Sequence, residues 1–327
     1  MATGHRARAS DTVATGPSAR LAWRGAEGCA VGEHVGGPLR DAVTQRVAGV
    51  DGVHLVVDRW DGARVGVLLV HGLASNARLW DGVVVELRRR GHAVATVDLR
   101  GHGRADKPDE GYDMGTVADD VAGVLRYLRS SGGAPWERPV VVGQSWGGNV
   151  VVELAVRHPT LLRAVVAVDG GMIELADRFP DCATARRVLA PPPLAGRSAD
   201  EVEQAIRAAH PHWSELAVAG VMANFERRSD GTVAPWLTLA RHLLVIDGLW
   251  AHRPSERAGQ LTVPLLLLVA DNGRASPWTE DKRKAVERMV HAAGAGASAR
   301  WFVPADHDLH AEQPGPVADA IVAVASA

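Results

Sequence analysis

The sequence predicts an α/β protein: a mostly parallel, doubly wound sheet with a helical lid inserted after its sixth strand. Three observations predict it. Short apolar runs alternate with helix-length segments from about residue 65 to residue 168, the pattern of consecutive βαβ units. The alternation stops near residue 172 and resumes at Pro264. Between an apolar run and a helical one lies the turn Gly143-Gln144-Ser145-Trp146-Gly147.

Residues 45–50 and 53–60 read as two strands joined by Asp51-Gly52, a hairpin signal. Residues 65–70 form a continuous apolar run, as in a strand buried on both faces. A helix is expected over 77–90, a strand over 93–97, a helix over 116–128 and a strand over 140–142. The next helix ends near Arg157-His158-Pro159, and 164–168 is the sixth strand. Residues 172–260 show helical patterns, a Pro191-Pro192-Pro193 break and a turn at Gly231, but no clear strand, and read as a lid over the strand ends. A strand from Pro264 to Val269, a helix over 279–293, a strand over 300–303 and a closing helix over 316–324 complete the pattern. The expected organisation is a flexible tail over 1–43, a core over 44–171 and 261–327, and a lid over 172–260.

Bulk properties narrow the function. A net charge of −2 creates no field favouring nucleic acid or an anionic membrane. No apolar stretch reaches the roughly 18 residues that a membrane helix needs. Two cysteines, Cys29 and Cys182, form neither a disulfide framework nor a metal-ligand pattern. The Ala-, Gly-, Arg- and Ser-rich start lacks the apolar segment of a secretory signal, so a cytoplasmic protein is expected. Association with further copies of the chain stays open.

The turn at Ser145 carries the chemistry. Glycine on both sides allows a bend sharp enough to push the serine hydroxyl out of the sheet, and the helix behind it offers free N–H groups and a positive dipole end. A serine hydroxyl needs a base, a group orienting that base, and donors for the oxyanion. In a parallel sheet each belongs on a loop at a strand's carboxyl end. The last strand leads into Asp306-His307-Asp308-Leu309-His310, where His307 is the preferred base because it is nearer the strand end. Oxyanion donors are expected from the backbone N–H of Leu73, in His71-Gly72-Leu73-Ala74, and of Trp146; the His71 side chain is expected to brace its loop. Two aspartates at strand ends compete as the acid, Asp169 and Asp271.

Trp80, Gln144, Trp236 and Trp250 are candidates for the substrate pocket, as is Trp146, whose loop, like that of Trp80, adjoins Ser145. Met172, Ile173, Met222, Trp213, Phe225, Leu243 and Leu244 add apolar bulk, much of it expected to pack the lid onto the sheet. His210, His212, His242 and His252 show no metal-binding spacing and read as surface or capping residues. No metal or other cofactor is called for.

With these parts in order the chain resembles the α/β-hydrolase fold superfamily, from about residue 44 to residue 325. The resemblance is carried by Val70-His71-Gly72, by Asp98-Leu99-Arg100-Gly101-His102-Gly103-Arg104-Ala105, by the Ser145 turn, and by His307 ahead of Glu312-Gln313-Pro314. It implies Ser145 as nucleophile, His307 as base, Leu73 and Trp146 as oxyanion hole, and His102 as a structural turn residue. Gly273 occupies the place where most members carry the acid. Some haloalkane dehalogenases of this fold place the acid at the end of the preceding strand, which corresponds to Asp169, so Asp169 ranks above Asp271. Those enzymes and the epoxide hydrolases use an aspartate nucleophile, which Ser145 is not. The implied function is a serine hydrolase acting on a small, largely apolar ester, thioester or lactone. Rival readings are lyase, cyclase or perhydrolase chemistry with the same three residues, a ligand receptor with negligible turnover, and a docking surface around Cys182 and the proline run.

Overall fold

A computed structural model describes residue 39 and residues 41–194 and 196–327. The tail expected over 1–43 lies almost wholly outside the described residues. The first strand, β1 (Val43–Ala48), pairs antiparallel with β2 (His54–Trp60). The turn between them uses Asp51 at φ 55° and Gly52 at φ 72°, the left-handed pair that a tight hairpin requires. It begins earlier than expected, because residues 50–52 curl into a 3₁₀ turn rather than extending the strand.

Strands β3 (Arg64–Val70), β4 (His92–Asp98), β5 (Val140–Gln144) and β6 (Ala164–Val168) follow, with α1 (Asp81–Arg89), α2 (Met114–Gly132) and α3 (Trp146–Arg157) between them. The helix expected over 77–90 is split: Ala77–Trp80 is 3₁₀, capped by the Asn76 side chain, and α1 starts at Asp81. The insertion after β6 carries α4 (Cys182–Leu189), α5 (Ala199–Ala209), α6 (Glu215–Met222), α7 (Leu239–Ala251) and α8 (Pro254–Ala258). It is not all helical. β7 (Phe225–Arg227) and β8 (Val233–Pro235) form an antiparallel ribbon about Gly231, whose φ is 83°. Three residues per strand, with charges at Glu226 and Arg227, are too few for a period-two signal. The chain then rejoins the sheet with β9 (Leu265–Ala270), α9 (Pro277–Ala293), β10 (Ala297–Phe302), α10 (Leu309–Glu312) and α11 (Pro314–Ser326).

Among the described residues one eight-stranded sheet runs β1-β2-β4-β3-β5-β6-β9-β10, parallel from β4 to β10. Successive side chains of a strand point to opposite faces, and each inner strand feeds two cores. Leu68, Val141, Val165 and Leu267 pack with Val121 of α2 and Val151 of α3. Val67, Val142, Val166 and Leu268 pack with Val83 of α1 and Ile321 of α11. This double coverage explains why the inner strands read as unbroken apolar runs.

One buried ion pair locks the early loops. The Arg100 guanidinium donates to both oxygens of Asp120, and both side chains are almost fully enclosed. Asp120 also accepts the Val50 N–H at 2.7 Å, tying the loop after β4 and the hairpin turn to α2. Asp120→Ala leaves a buried guanidinium without its counterion. The expected loss is about 3–5 kcal/mol, read as a lower urea midpoint with an unchanged slope.

Candidate active site

The site begins with a backbone bend at the carboxyl end of β5. Ser145 sits at φ 53° and ψ −120°, and α3 starts at the next residue. Its N–H donates to the Val168 carbonyl of β6 at 2.9 Å, and its carbonyl accepts the Gly148 N–H at 2.9 Å. A Cβ on Gly143 would stand 2.1 Å from the Gly147 carbonyl oxygen, and one on Gly147 would stand 2.3 Å from that of His71. Glycine is required at both places by close approach rather than by dihedral angle.

His307 lies on the loop between β10 and α10. Its Nε2 is 2.9 Å from Ser145 Oγ and its Nδ1 is 2.7 Å from Asp169 Oδ2. An ionised carboxylate only accepts, so the network assigns the proton to Nδ1 and leaves Nε2 to accept from the serine hydroxyl. Asp169, the residue after β6, holds the left-handed φ of 42°. Asp271 is not part of this chain of hydrogen bonds: its carboxylate accepts from the Gly273 N–H and from Arg283. The sheet order is the reason, since β6 adjoins β5 and β9 is one strand further away. His310 is buried against Trp80, with ring centroids 4.3 Å apart, and burial drives its pKa down to about 3.

Asp169 has a second cationic partner that sequence reasoning missed. Lys282 Nζ lies 2.9 and 3.0 Å from the two carboxylate oxygens and donates to the Ala270 carbonyl at 2.9 Å. The Ala270 N–H donates to Asp169 Oδ1 as well. The signal available was thin: Lys282 is one of three lysines in an arginine-rich chain. Burial disfavours the Asp169 carboxylate, but His307 and then Lys282 outweigh it and hold its pKa below the usual range. His307 has 55% of its side chain open to the cavity, yet the surrounding protein desolvates the imidazolium. The hydrogen bond and charge of Asp169 more than offset that desolvation, raising the His307 pKa above the ordinary value, while Lys282 pulls it back.

The loop after β3 is braced by two neutral histidines. His71 Nε2 accepts the Leu99 N–H at 3.1 Å, so its Nδ1–H donates to the Gly72 carbonyl at 2.8 Å. His102 Nε2 accepts the Ala74 N–H at 3.3 Å, and its ring stacks on Trp146 at 5.4 Å. Burial lowers both pKa values. Leu73 and Trp146 border the same cavity as Ser145, and among the described residues neither backbone N–H has an acceptor.

That cavity, of about 570 Å³, is where the sequence reading needs most correction. Trp146 lines it, but Trp80, Gln144, Trp236 and Trp250 do not. Trp80 is fully buried in the core on the α1 and α11 side of the sheet. The Gln144 amide reaches the His307 carbonyl at 3.3 Å and Asp308 at 3.4 Å, so it holds the histidine loop instead. Trp236 lies half-buried with Lys107 Nζ 5.0 Å from its ring centre, and Trp250 packs on the core. The apolar wall is Met172, Ile173, Leu189, Ile246 and Leu249. On α7 the cavity face is His242, Ile246 and Leu249; Trp250 stands about 40° from Ile246 and about 100° from Leu249, at the edge of that face. His242 and His252 are buried rather than at the surface: the His242 Nε2–H donates to the Leu189 carbonyl at 2.9 Å and the ring borders the cavity, and His252, which caps the C-terminal end of α7, lies 3.2 Å from Asn149. Among the described residues no three His, Cys, Asp or Glu side chains group as metal ligands would.

The comparisons agree with the architecture. A model of the alpha/beta hydrolase family matches residues 67–320, and the chain belongs to that family. It is 40% identical over 103 residues to 2-(acetamidomethylene)succinate hydrolase of Mesorhizobium japonicum, a match taking in 32% of this chain and 34% of that protein. It is 35% identical over 136 residues to an esterase of Mycobacterium tuberculosis, 41% of each chain. The chain thus spans about a third of the length of the first curated relatives it matches. A crystal structure of E-2-(acetamidomethylene)succinate hydrolase superposes with a TM-score of 0.69 at 23% identity, covering 88% of this chain and 100% of the other. No helix among the described residues is long and apolar enough to cross a membrane.

The electrostatics can be read directly from the His307 titration by NMR. Its pKa is expected above the ordinary histidine value. Asp169→Asn removes the group that raises it and lowers the pKa; Lys282→Met removes an opposing charge and raises it further; Asp271→Asn leaves it in place.

Proposed function

We propose that this protein hydrolyses a carboxylic ester of a small molecule through an acyl-serine intermediate. The observation that carries this reading is the hydrogen-bonded chain from Ser145 through His307 to Asp169, with distances of 2.9 and 2.7 Å, opening on the cavity. Family membership and relatives named as hydrolase and esterase support it.

In this reading His307 Nε2 takes the Ser145 proton as Oγ attacks the ester carbonyl. Asp169 keeps the imidazole in the reactive tautomer and stabilises the imidazolium that forms. The Leu73 and Trp146 N–H groups, together with the start of α3, receive the developing oxyanion. The imidazolium then protonates the departing alkoxide. Water, deprotonated by the same nitrogen, releases the acid and restores the serine. Lys282 holds the Asp169 carboxylate in place, and Gln144 holds the loop that carries the base.

A fluorophosphonate probe is expected to label Ser145 in the wild-type protein and not in Ser145→Ala, which also loses turnover of p-nitrophenyl esters. Asp169→Asn is expected to lower kcat by about 10⁴-fold, against a few-fold for Asp271→Asn. Because the base must be neutral, kcat/KM falls as the pH drops through the raised His307 pKa. Labelling elsewhere, or full turnover by Ser145→Ala, would overturn the acyl-serine.

A further inference from the structure

The cavity wall carries four cationic side chains: Arg178, Lys282, Lys284 and Arg288. Three are already paired. Lys282 is bound to Asp169, Lys284 lies 3.7 Å from Glu280, and Arg288 lies 2.7 Å from Asp177. Arg178 is different. Among the described residues no carboxylate makes an ion pair with it. Its guanidinium is stacked on the Trp278 ring, with the carbon 3.0 Å from the ring centre, and one nitrogen donates to the Trp278 carbonyl at 3.4 Å.

The stack fixes the plane of the guanidinium while leaving further N–H donors without an acceptor. The nearby acidic groups do not fill that place. Of the six carboxylates at the cavity, Asp169 is shared by Lys282 and His307, Asp271 is bound to Arg283, Glu174 and Asp177 face Arg288 at 3.9 and 2.7 Å, and Asp281 and Asp306 are exposed to water. A guanidinium held flat at the cavity wall, with donors that no protein acceptor takes, suits a ligand that supplies a carboxylate. Burial lowers the pKa of Arg178, and the charges of Asp281 and Asp169 do not make up the difference. Arg178 therefore lacks the counterion that the other wall cations have.

We infer that Arg178 is the anchor for a carboxylate on the substrate, so that the site takes an ester whose apolar body bears an anionic end. This rests on the ester-hydrolase reading above and sharpens it. The carboxylate meets Arg178, the apolar body lies against Met172, Ile173, Ile246 and Leu249, and the scissile carbonyl reaches Ser145. It departs from the largely apolar substrate that the composition of the insertion suggested.

Two p-nitrophenyl esters of matched length test it with the full chain: the neutral pentanoate and the glutarate monoester, which carries a free carboxylate. Wild type is expected to favour the glutarate monoester in kcat/KM. Arg178→Met is expected to lower the charged-to-neutral ratio by about tenfold or more, mostly through KM, and Arg178→Lys to recover part of it. Free glutarate, measured by calorimetry, is expected to bind wild type and to bind Arg178→Met at least tenfold more weakly. A ratio that does not change in Arg178→Met, or a wild-type preference for a cationic choline ester, overturns the anchor while leaving ester hydrolysis intact. If neither ester turns over and Ser145 takes no fluorophosphonate, the hydrolase reading fails. Glutarate binding then decides the anchor alone, and its absence overturns it.

Discussion

A left-handed serine at the tip of β5 is the constraint on which the site depends. Such a conformation costs a non-glycine residue of order 1–3 kcal/mol and persists only where its surroundings over-determine it. Here they do. The Ser145 N–H is committed to β6, its carbonyl to the first turn of α3, and Gly143 and Gly147 leave no room for the backbone to relax. Gly170 presses in from the next loop, where a Cβ would come within 2.1 Å of the Ser145 carbonyl oxygen. Asp169, immediately before it, is held at a positive φ of its own. Two strained residues thus follow directly on adjacent strands, and every residue of β5 and β6 behind them is buried. The sheet thereby holds Ser145 and Asp169 on either side of the His307 ring.

Charge placement follows from that geometry. A carboxylate as enclosed as Asp169 needs several donors to remain ionised, and it has the Ala270 N–H, Lys282 and His307. Lys282 and the His307 Nδ1–H compete for the same carboxylate. Asp169 raises the basicity of the imidazole, and Lys282 moderates the effect through the shared carboxylate. A base whose pKa is raised too far would be protonated at neutral pH and unable to accept the serine proton. The ammonium therefore orients the Asp169 carboxylate and limits how far it raises the His307 pKa.

The helix that presents Ser145 also clamps both ends of the insertion. Asn149, one turn into α3, accepts the N–H groups of Gly171 and Ile173 where the chain leaves the sheet, and contacts His252 where it returns. Glu153, one turn further on, meets Arg257 of α8 at 3.2 Å, and burial of its carboxylate is outweighed by His252 and Arg257, which keep its pKa low. The insertion's part of the cavity wall and Ser145 are consequently referenced to one helix. Small changes in α3 would move both together, preserving the spacing between the apolar wall and the serine oxygen.

What could be read along the chain was whatever depends on near neighbours. Strand and helix alternation, the glycine-flanked turn at Ser145, the hairpin at Asp51-Gly52 and the buried character of the inner strands are local patterns set by side-chain period and turn chemistry. The pairing of His307 with Ser145 was legible because the order of loops along a doubly wound sheet constrains it. The ranking of Asp169 over Asp271 came only through the family resemblance, because local pattern does not show which strand lies beside β5; the His307–Asp169 contact joins residues 138 positions apart. Two things were not legible, and both have the same cause. The role of Lys282 depends on where α9 docks. The cavity wall depends on the rotation of α7, which turns Ile246 and Leu249 inward and leaves Trp250 on the core, while Trp80 falls on the other face of the sheet. Sequence determined the elements and the reactive turn through local backbone energetics; only tertiary packing decided the partners, because those contacts exist only after distant segments have been brought together.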